Sequence, residues 1–169
     1  MSGLKGRERL QPSLLDRLTD KNPSAKRDRP DEQVLTLAQL RQAVLRDLAA
    51  LLNTSNLTSI AELEDAPLAC KSTLNYGIPG FSGLLDTSER VRSLEEELVT
   101  AIRTYEPRIR SETVKVRSRG ALEASGVPAL LFEIEGELWA QPVPQQLFLE
   151  TKIEVETRLA VVTETKGSH

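Results

Sequence analysis

Two residues of opposite charge flank a proline in the sequence Tyr105-Glu106-Pro107-Arg108. Pro107 fixes the local direction of the backbone, and residues two apart in an extended chain point to the same side, so the two charged side chains should project together. Such a pair can grip an extended backbone or an oppositely charged pair on another chain. Alternatively, Arg108 can cap the preceding helix by bonding its last free carbonyl groups. The spacing leaves both interpretations open and on its own favours the cap.

A second motif combines turn-forming and apolar residues over positions 72–81, which read S-T-L-N-Y-G-I-P-G-F. Asn75, Gly77 and Pro79 at this density predict a turn in which Gly77 has a positive φ. The motif also carries four large apolar side chains, which are Leu74, Tyr76, Ile78 and Phe81. Because these side chains are too apolar to be left in water, we expect the loop to pack onto the sheet or onto a partner.

Acidic and basic residues alternate with apolar ones in the last third of the chain. Lys115, Arg117 and Arg119 should lie on one strand opposite Glu133 and Glu135 on the next, where they can form cross-strand ion pairs. The two glutamates are about 7 Å apart by strand rise, a distance that glycoside hydrolysis by two carboxylates permits. The expected face is flat and solvated, however, and the chain has only one Trp and two Tyr to stack on a sugar.

Histidine and cysteine are too scarce for several common kinds of catalysis. The chain contains one cysteine, Cys70, and one histidine, His169, which is the last residue. A Ser-His or Cys-His hydrolase needs an imidazole held beside its nucleophile, and a zinc site needs three or four such ligands. The phosphate-binding patterns G-x-x-x-x-G-K-[ST] and G-x-G-x-x-G are absent. We therefore expect no metal and no cofactor, and carboxylate chemistry is the enzymatic alternative that remains.

Charge is distributed unevenly along the chain, whose net charge is -3. Residues 1–33 carry 8 Lys and Arg against 6 Asp and Glu, and the remainder carries 14 against 19. A nucleic-acid-binding domain usually has a clustered basic stripe, so we expect no nucleic-acid partner. An uncharged apolar run of about 18 residues and the apolar stretch of a signal peptide are both absent. The sequence therefore predicts a cytoplasmic protein without direct membrane insertion.

The chain divides into a polar segment, one domain and a tail. Residues 1–33 are rich in Lys, Arg, Asp, Pro and Ser and predict a basic, largely flexible segment. A short helix is expected in this segment near 13–20, with Ser13 as its cap. Residues 34–163 form the predicted domain, and residues 164–169 form the tail.

The predicted domain contains both helical and strand patterns. Apolar residues recur at helical spacing over 36–52 and 88–105, which predicts two long helices. Alternation of apolar and polar residues predicts half-buried antiparallel strands over 113–119, 129–135, 147–156 and, in a short final segment, 159–162. The predicted fold class is α+β, with two long helices packed on a small antiparallel sheet and a mobile N-terminal segment.

Five stretches of the chain, taken in order, resemble one protein family. They are P-S-L-L-D-R-L-T-D (12–20), L-x-x-A-V-x-x-D-L-x-x-L-L-N-T (40–54), S-T-L-N-Y-G-I-P (72–79), A-I-R-T-Y-E-P-R-I (101–109) and the terminal pair of alternating strands. This order resembles TssE, the baseplate wedge subunit family of bacterial type VI secretion systems, which is homologous to the lysozyme-like wedge protein of contractile phage baseplates. The sequence departs from the family at Thr157, near which a glycine is expected in the C-terminal hairpin.

The resemblance implies a structural, non-enzymatic subunit from which the contractile sheath polymerises. The implied partners are baseplate wedge proteins and contractile sheath subunits, and a strand of the sheath protein extends the sheet in that family, as an exposed sheet edge would permit. The resemblance assigns partner binding to the residues that match the family's motifs, which are Glu106, Pro107 and Arg108, and Asn75, Tyr76 and Gly77. A peptidoglycan-cleaving, lysozyme-like glycosidase is the alternative function.

Overall fold

The structure, a computed structural model, describes residues 13–19, 24, 36–63, 65–80, 88–124, 127–139 and 144–165. This part of the chain contains the helices α1 (Leu14–Leu18), α2 (Leu37–Leu52), α3 (Pro67–Cys70) and α4 (Ser88–Tyr105). It also contains 3-10 turns at Leu57–Ser59, Thr73–Asn75 and Ser111–Thr113. The strands are β1 (Lys115–Ala124), β2 (Val127–Leu138), β3 (Gln145–Glu154) and β4 (Ala160–Glu164). The helices therefore come first along the chain, and the strands come last.

Helix α2 begins at a pair of residues that cap each other. The side chain of Thr36 accepts a hydrogen bond from the backbone N–H of Gln39 (3.2 Å), and the side chain of Gln39 accepts one from the backbone N–H of Thr36 (2.8 Å). This arrangement satisfies two amide groups that the start of a helix otherwise leaves unpaired. At the other end, the backbone N–H of Asn53 donates to the carbonyl of Ala49 (3.1 Å). Local contacts thus define both ends of this helix.

The four strands form one antiparallel sheet in the order β1-β2-β3-β4. Buried and partly exposed residues alternate along most of β3, so one face of the sheet is covered and the other faces outward. Arg117 lies opposite Glu133 in the register, and Arg119 forms an ion pair with Glu133 (2.6 Å). The predicted cross-strand pairing of basic and acidic residues is therefore confirmed. A bulge between Ser118 and Gly120 interrupts the pairing of β1 with β2.

The core lies between the covered face of the sheet and the helices α2 and α4. Leu48 of α2, Leu98 and Ile102 of α4, and Phe132 and Leu149 of the sheet are fully buried members of one continuous cluster. Burial of one such side chain contributes about 1.5–3 kcal/mol. Helix α4 packs along β1 and α2 packs along β4, so each long helix is tied to one edge strand.

The predicted fold class, two long helices packed on a small antiparallel sheet, is wrong as a description of this architecture. The sheet is not small, since β1 and β3 have 10 residues each and β2 has 12. The helical part contains α1, α3 and three 3-10 turns besides the two long helices. Side-chain alternation located only the centres of the strands, because strand ends pair through backbone groups whatever side chains they carry. The short helical segments are too brief to show a helical period in the sequence.

Several predicted features lie outside the described residues. They are most of the segment 1–33, the loop residue Phe81 and the tail beyond Thr165. Within the segment 13–20, helix α1 covers Leu14–Leu18. No helix in the described ranges combines the length and the apolar character needed to cross a bilayer.

Candidate functional site

The Glu-Pro-Arg triplet forms a turn that joins α4 to the sheet. The backbone N–H of Glu106 donates to the carbonyl of Ile102 (2.9 Å), which continues the hydrogen bonding of α4 by one residue. After Pro107, the carbonyl of Arg108 accepts a hydrogen bond from the backbone N–H of Trp139 at the end of β2 (2.7 Å). The turn is therefore fixed by the helix on one side and by the sheet on the other.

Glu106 and Arg108 bind each other through a two-point ion pair. Arg108 Nε donates to Glu106 Oε1 (2.7 Å) and Arg108 Nη2 donates to Oε2 (2.5 Å), while the backbone N–H of Arg108 also reaches Oε1 (3.1 Å). The side chain of Glu106 is 3% exposed and that of Arg108 is 22% exposed. Contact at two points fixes the orientation of a planar guanidinium and is stronger than a single contact. The two side chains thus lie together, and they contact each other rather than projecting as two separate groups.

Asp47 of α2 binds the same guanidinium and was missed by the sequence-based reasoning. Its Oδ2 accepts from Arg108 Nη2 (2.6 Å), and its Oδ1 accepts from Arg46 Nη2 (2.7 Å). A signal was present, because position 47 lies three residues after Val44 and four before Leu51, both of which belong to the buried stripe. A carboxylate beside an apolar stripe requires a partner.

The alternative role of Arg108 as a helix cap is not supported by its contacts. Within the described residues, the hydrogen bonds of its side chain go to the carboxylates of Glu106 and Asp47, and none goes to a carbonyl of α4. A cap would instead satisfy the free carbonyl groups of the last helical turn. The guanidinium therefore joins the turn after α4 to α2.

The guanidinium of Arg108 carries a positive charge that its surroundings stabilise. Burial lowers its pKa, but the hydrogen bonds and negative charge of Glu106, followed by those of Asp47, raise it by more, so the pKa lies above its usual value. Arg108 Nη1 is buried and has no hydrogen-bond partner among the described residues. Leaving a buried donor without an acceptor costs about 1–3 kcal/mol. The guanidinium is thus firmly held on one edge, and its Nη1 donor has no acceptor among the described residues.

The N-Y-G loop over positions 75–77 packs beside this cluster of charges. The ring of Tyr76 meets the ring of Tyr105 edge-on, with centroids 5.3 Å apart and planes at 67°. Burial raises the pKa of the Tyr76 hydroxyl, and the nearby negative charges of Asp47 and Glu106 raise it further. Because Tyr105 immediately precedes Glu106, the structure brings the two sequence motifs together in space.

Asn75 and Gly77 give this loop its shape. The side-chain oxygen of Asn75 accepts from the backbone N–H of Thr58 (3.0 Å), and the Asn75 carbonyl accepts from the hydroxyl of Tyr105 (2.8 Å). Gly77 has a φ of 121°, which confirms the predicted positive value. A Cβ at this position would come within 2.3 Å of the carbonyl oxygen of Thr54. Any side chain at position 77 would therefore force the backbone to move.

The model of the baseplate wedge protein gp25 family matches residues 38–143, which is more than half of the chain. The chain belongs to this family. A comparison with curated proteins finds no significant match. The matched range contains Asp47, the N-Y-G loop and the Glu-Pro-Arg turn, so the whole ion-pair site around Arg108 lies within it. The resemblance to baseplate wedge subunits is confirmed, and the family is that of a structural component of the baseplate.

The sheet of this wedge-family chain has β1 and β4 as its two edges. The backbone hydrogen bonds between β3 and both ends of β4 show which residues of β4 direct their backbone groups toward β3. The alternate residues Ala160, Val162 and Glu164 therefore direct their backbone groups outward. Asn53, the residue after α2, occupies the first of these positions, since its side chain donates to the Ala160 carbonyl (2.8 Å) and accepts from the Ala160 N–H (2.9 Å). The outward backbone groups of Val162 and Glu164 have no hydrogen-bond partner within the described ranges.

Glu133 and Glu135, the pair considered for glycoside hydrolysis, lie half-buried on the outward face of the sheet of this baseplate protein. Glu133 is held by Arg119, as described above. A cavity of about 30 Å³ lies elsewhere, lined by the end of α2 at Leu52 and by Arg158 among others, and neither glutamate contributes to it. Such a volume holds about one water molecule. Among the described residues, no group of three or more His, Cys, Asp or Glu is placed to hold a metal ion.

Proposed function

We propose that this chain is a type VI secretion baseplate subunit that anchors the contractile sheath and helps to start its polymerisation. It acts in the cytoplasm beside other baseplate wedge proteins, and it binds sheath subunits through the Glu-Pro-Arg turn and through strand addition. The observation that carries the proposal is the match to the baseplate wedge protein family over residues 38–143, a range that contains the ion-pair site. The N-Y-G loop supports this site from the side of Tyr105.

The contacts of Arg108 support a role in attachment. Glu106 binds Nε and Nη2 of its guanidinium and Asp47 also binds Nη2, so the group has one orientation without a partner chain. A side chain ordered in advance loses little conformational entropy on binding. Arg108 keeps 22% exposure, and its Nη1 has no acceptor in the described structure. A carbonyl or carboxylate oxygen of a sheath subunit would complete its hydrogen bonding if binding moved aside the atoms that bury Nη1.

The test of the attachment site compares two arginines of the same segment. Arg108→Lys keeps the charge but loses the two-point geometry, whereas Arg110→Lys changes an arginine that pairs with Glu112 on the surface. Sheath assembly on the purified chain is measured by sedimentation and electron microscopy, with urea unfolding as the check on folding. We expect Arg108→Lys to stay folded and to lose sheath assembly, and Arg110→Lys to assemble sheath as the wild type does. Normal sheath on folded Arg108→Lys would refute the role of this residue.

The proposal assigns strand addition to the β4 edge. At β1, the side chain of Glu95 already accepts from the backbone N–H of Ser118 (2.5 Å), and the bulge disturbs the regular spacing of backbone groups. At β4, two consecutive outward positions, Val162 and Glu164, follow the position that Asn53 occupies. An incoming strand needs such regularly spaced donors and acceptors.

Proline tests this edge because it removes a backbone donor. The N–H of Val162 faces outward, so Val162→Pro removes no bond to β3 and takes away one donor for an incoming strand. Val162→Ala is the matched control, since it loses the same side chain and keeps the N–H. We expect both variants to fold with reduced stability and only the proline variant to bind sheath subunits poorly. Equal binding by the two variants would exclude strand addition at this position.

A further inference from the structure

Asp47 ties the guanidinium of Arg108 to a different part of the fold from Glu106. Glu106 is only two residues from Arg108, so their ion pair fixes the guanidinium relative to its own turn. Asp47 is 61 residues away in sequence, and its bond to Arg108 Nη2 (2.6 Å) fixes the same group relative to α2. Two carboxylates on separate elements thus determine where the guanidinium lies.

Asp47 is itself held in place by a chain of opposite charges. Its second oxygen accepts from Arg46 Nε (2.8 Å) and Nη2 (2.7 Å), and Arg46 Nη1 donates to Asp16 of α1 (2.6 Å). The side chain of Asp16 is only 6% exposed and accepts a further hydrogen bond from Ser13 (2.7 Å). The carboxylate of Asp47 therefore cannot turn away from Arg108 without also breaking its contact with Arg46.

We propose that Asp47 is a positioning residue of the attachment site, which holds the guanidinium of Arg108 against α2 in the orientation that a sheath subunit binds. Arg46 and Asp16 extend this function by holding Asp47. The inference rests on the proposed function of Arg108, and it assigns Asp47 no contact with the partner. The group that the partner contributes is an acceptor oxygen, and this oxygen binds Arg108.

The exposure of this ion pair separates positioning from a purely structural role. The side chains of Asp47 and Arg108 are 27% and 22% exposed, and ion pairs that retain contact with water contribute little to stability. Asp47→Asn has the same shape and keeps one acceptor oxygen, so the domain should fold. We expect the guanidinium of Arg108 to lose its fixed orientation, because a neutral amide holds a guanidinium less firmly than a carboxylate does.

The experiment measures binding of purified sheath subunits to the full chain, with the Kd as the readout. A double-mutant cycle compares four proteins, namely the wild type, Asp47→Asn, Arg108→Lys and the double variant. Glu154→Gln is the matched control, because Glu154 is 24% exposed and pairs with Lys152 away from the site. Urea unfolding checks that each variant is folded, and Arg46→Gln is a second variant that loosens Asp47 without changing it.

We expect Asp47→Asn to weaken binding at least tenfold, Arg46→Gln to weaken it less, and Glu154→Gln to leave it within twofold of the wild type. In the Arg108→Lys background, Asp47→Asn should have no further effect, because Asp47 acts only through the guanidinium. Asp47→Glu should restore part of the binding. A merely structural role would give neither this dependence on Arg108 nor this rescue.

The outcomes that overturn the inference differ from those that overturn the proposed function. Weak binding by Arg108→Lys together with normal binding by Asp47→Asn removes the role of Asp47 and leaves the attachment site in place. Independent, additive effects of the two changes would mean that Asp47 contacts the partner directly, which also contradicts positioning. Normal binding by Arg108→Lys would overturn the attachment site itself and the inference with it.

Discussion

The sharpest prediction concerns alanine at Gly77, whose backbone shape sets the loop beside the ion-pair site. An alanine there must adopt a φ of 121°, which costs about 1–3 kcal/mol for a residue with a Cβ. The Cβ would also lie 2.3 Å from the Thr54 carbonyl oxygen, so the backbone must separate. That movement breaks the hydrogen bonds from Ile78 N–H to Thr54 (2.9 Å) and from Asn56 N–H to Ile78 (3.0 Å), each of which contributes about 1 kcal/mol.

The net loss expected for Gly77→Ala is about 3 kcal/mol, because the lower entropy of the unfolded alanine chain offsets about 0.4–1 kcal/mol of these costs. Alanine substitutions at two other glycines separate the cost of the backbone conformation from the cost of the contact with Thr54. Gly120 has a φ of 100° and open space around its Cβ position, so Gly120→Ala should cost only about 1 kcal/mol for the backbone conformation. Gly80 has no positive φ and its nearest neighbouring atom is at 3.6 Å, so Gly80→Ala should stay within about 0.5 kcal/mol of the wild type.

Urea unfolding followed by circular dichroism measures the free energy of unfolding of all three variants. We expect Gly80→Ala to be the most stable of the three variants, Gly120→Ala to be less stable and Gly77→Ala to be the least stable. The reasoning fails if Gly77→Ala is no less stable than Gly120→Ala, because the contact with Thr54 would then have no energetic effect. Loss of sheath binding by Gly77→Ala, measured under conditions in which it remains folded, would support a role of the loop in the proposed attachment site.

Three further predictions concern stability. Thr151→Val should raise the free energy of unfolding in urea by about 1 kcal/mol, since the hydroxyl of this fully buried residue has no hydrogen-bond partner among the described residues; a loss of stability would contradict this. Arg158→Gly should raise it by about 0.5 kcal/mol, because Arg158 has a φ of 59°, and a lowered melting temperature would show that its side chain matters more than its backbone. The hydrogen bond from Arg46, opposed by burial, holds the pKa of Asp16 below its usual 3.8. A carboxylate whose pKa is lowered in the folded state stabilises the protein at pH values above its unfolded-state pKa. This stabilisation is lost as the pH falls through the folded-state pKa. The stability difference between the wild type and Asp16→Asn should therefore shrink as the pH falls below about 5, and a difference constant with pH would contradict the ion pair.

Features that depend on neighbouring residues could be predicted from the sequence. Thr36 and Gln39 are three residues apart, so their mutual cap and the start of α2 follow from local chemistry. The positive φ of Gly77 follows in the same way from the composition of its loop. The glycine expected near Thr157 corresponds in the structure to Arg158, the next residue, whose backbone has the positive φ that glycine adopts without strain.

Features that depend on packing between distant segments could not be predicted in this way. The bond between Asp47 and Arg108 arises only after α2 and α4 have packed on the sheet, and no spacing in the sequence specifies it. The length of β2 was underestimated because Gly136 interrupts the apolar alternation in the sequence, although the strand continues to Leu138. The two motifs of the site were thus predictable, and the sequence also indicated that Asp47 needs a partner, but it did not indicate that Arg108 is that partner.

The amide of Asn53 gives the edge of β4 a defined starting point. By forming both hydrogen bonds that a neighbouring strand would make to Ala160, it acts as a one-residue imitation of such a strand. A second chain added alongside β4 would have to begin its pairing after this residue. Sliding by two positions, the smallest slip that keeps the same side chains on each face, would bring it into collision with the end of α2. Under the proposed strand addition, this single side chain would set the register in which an incoming strand pairs with β4.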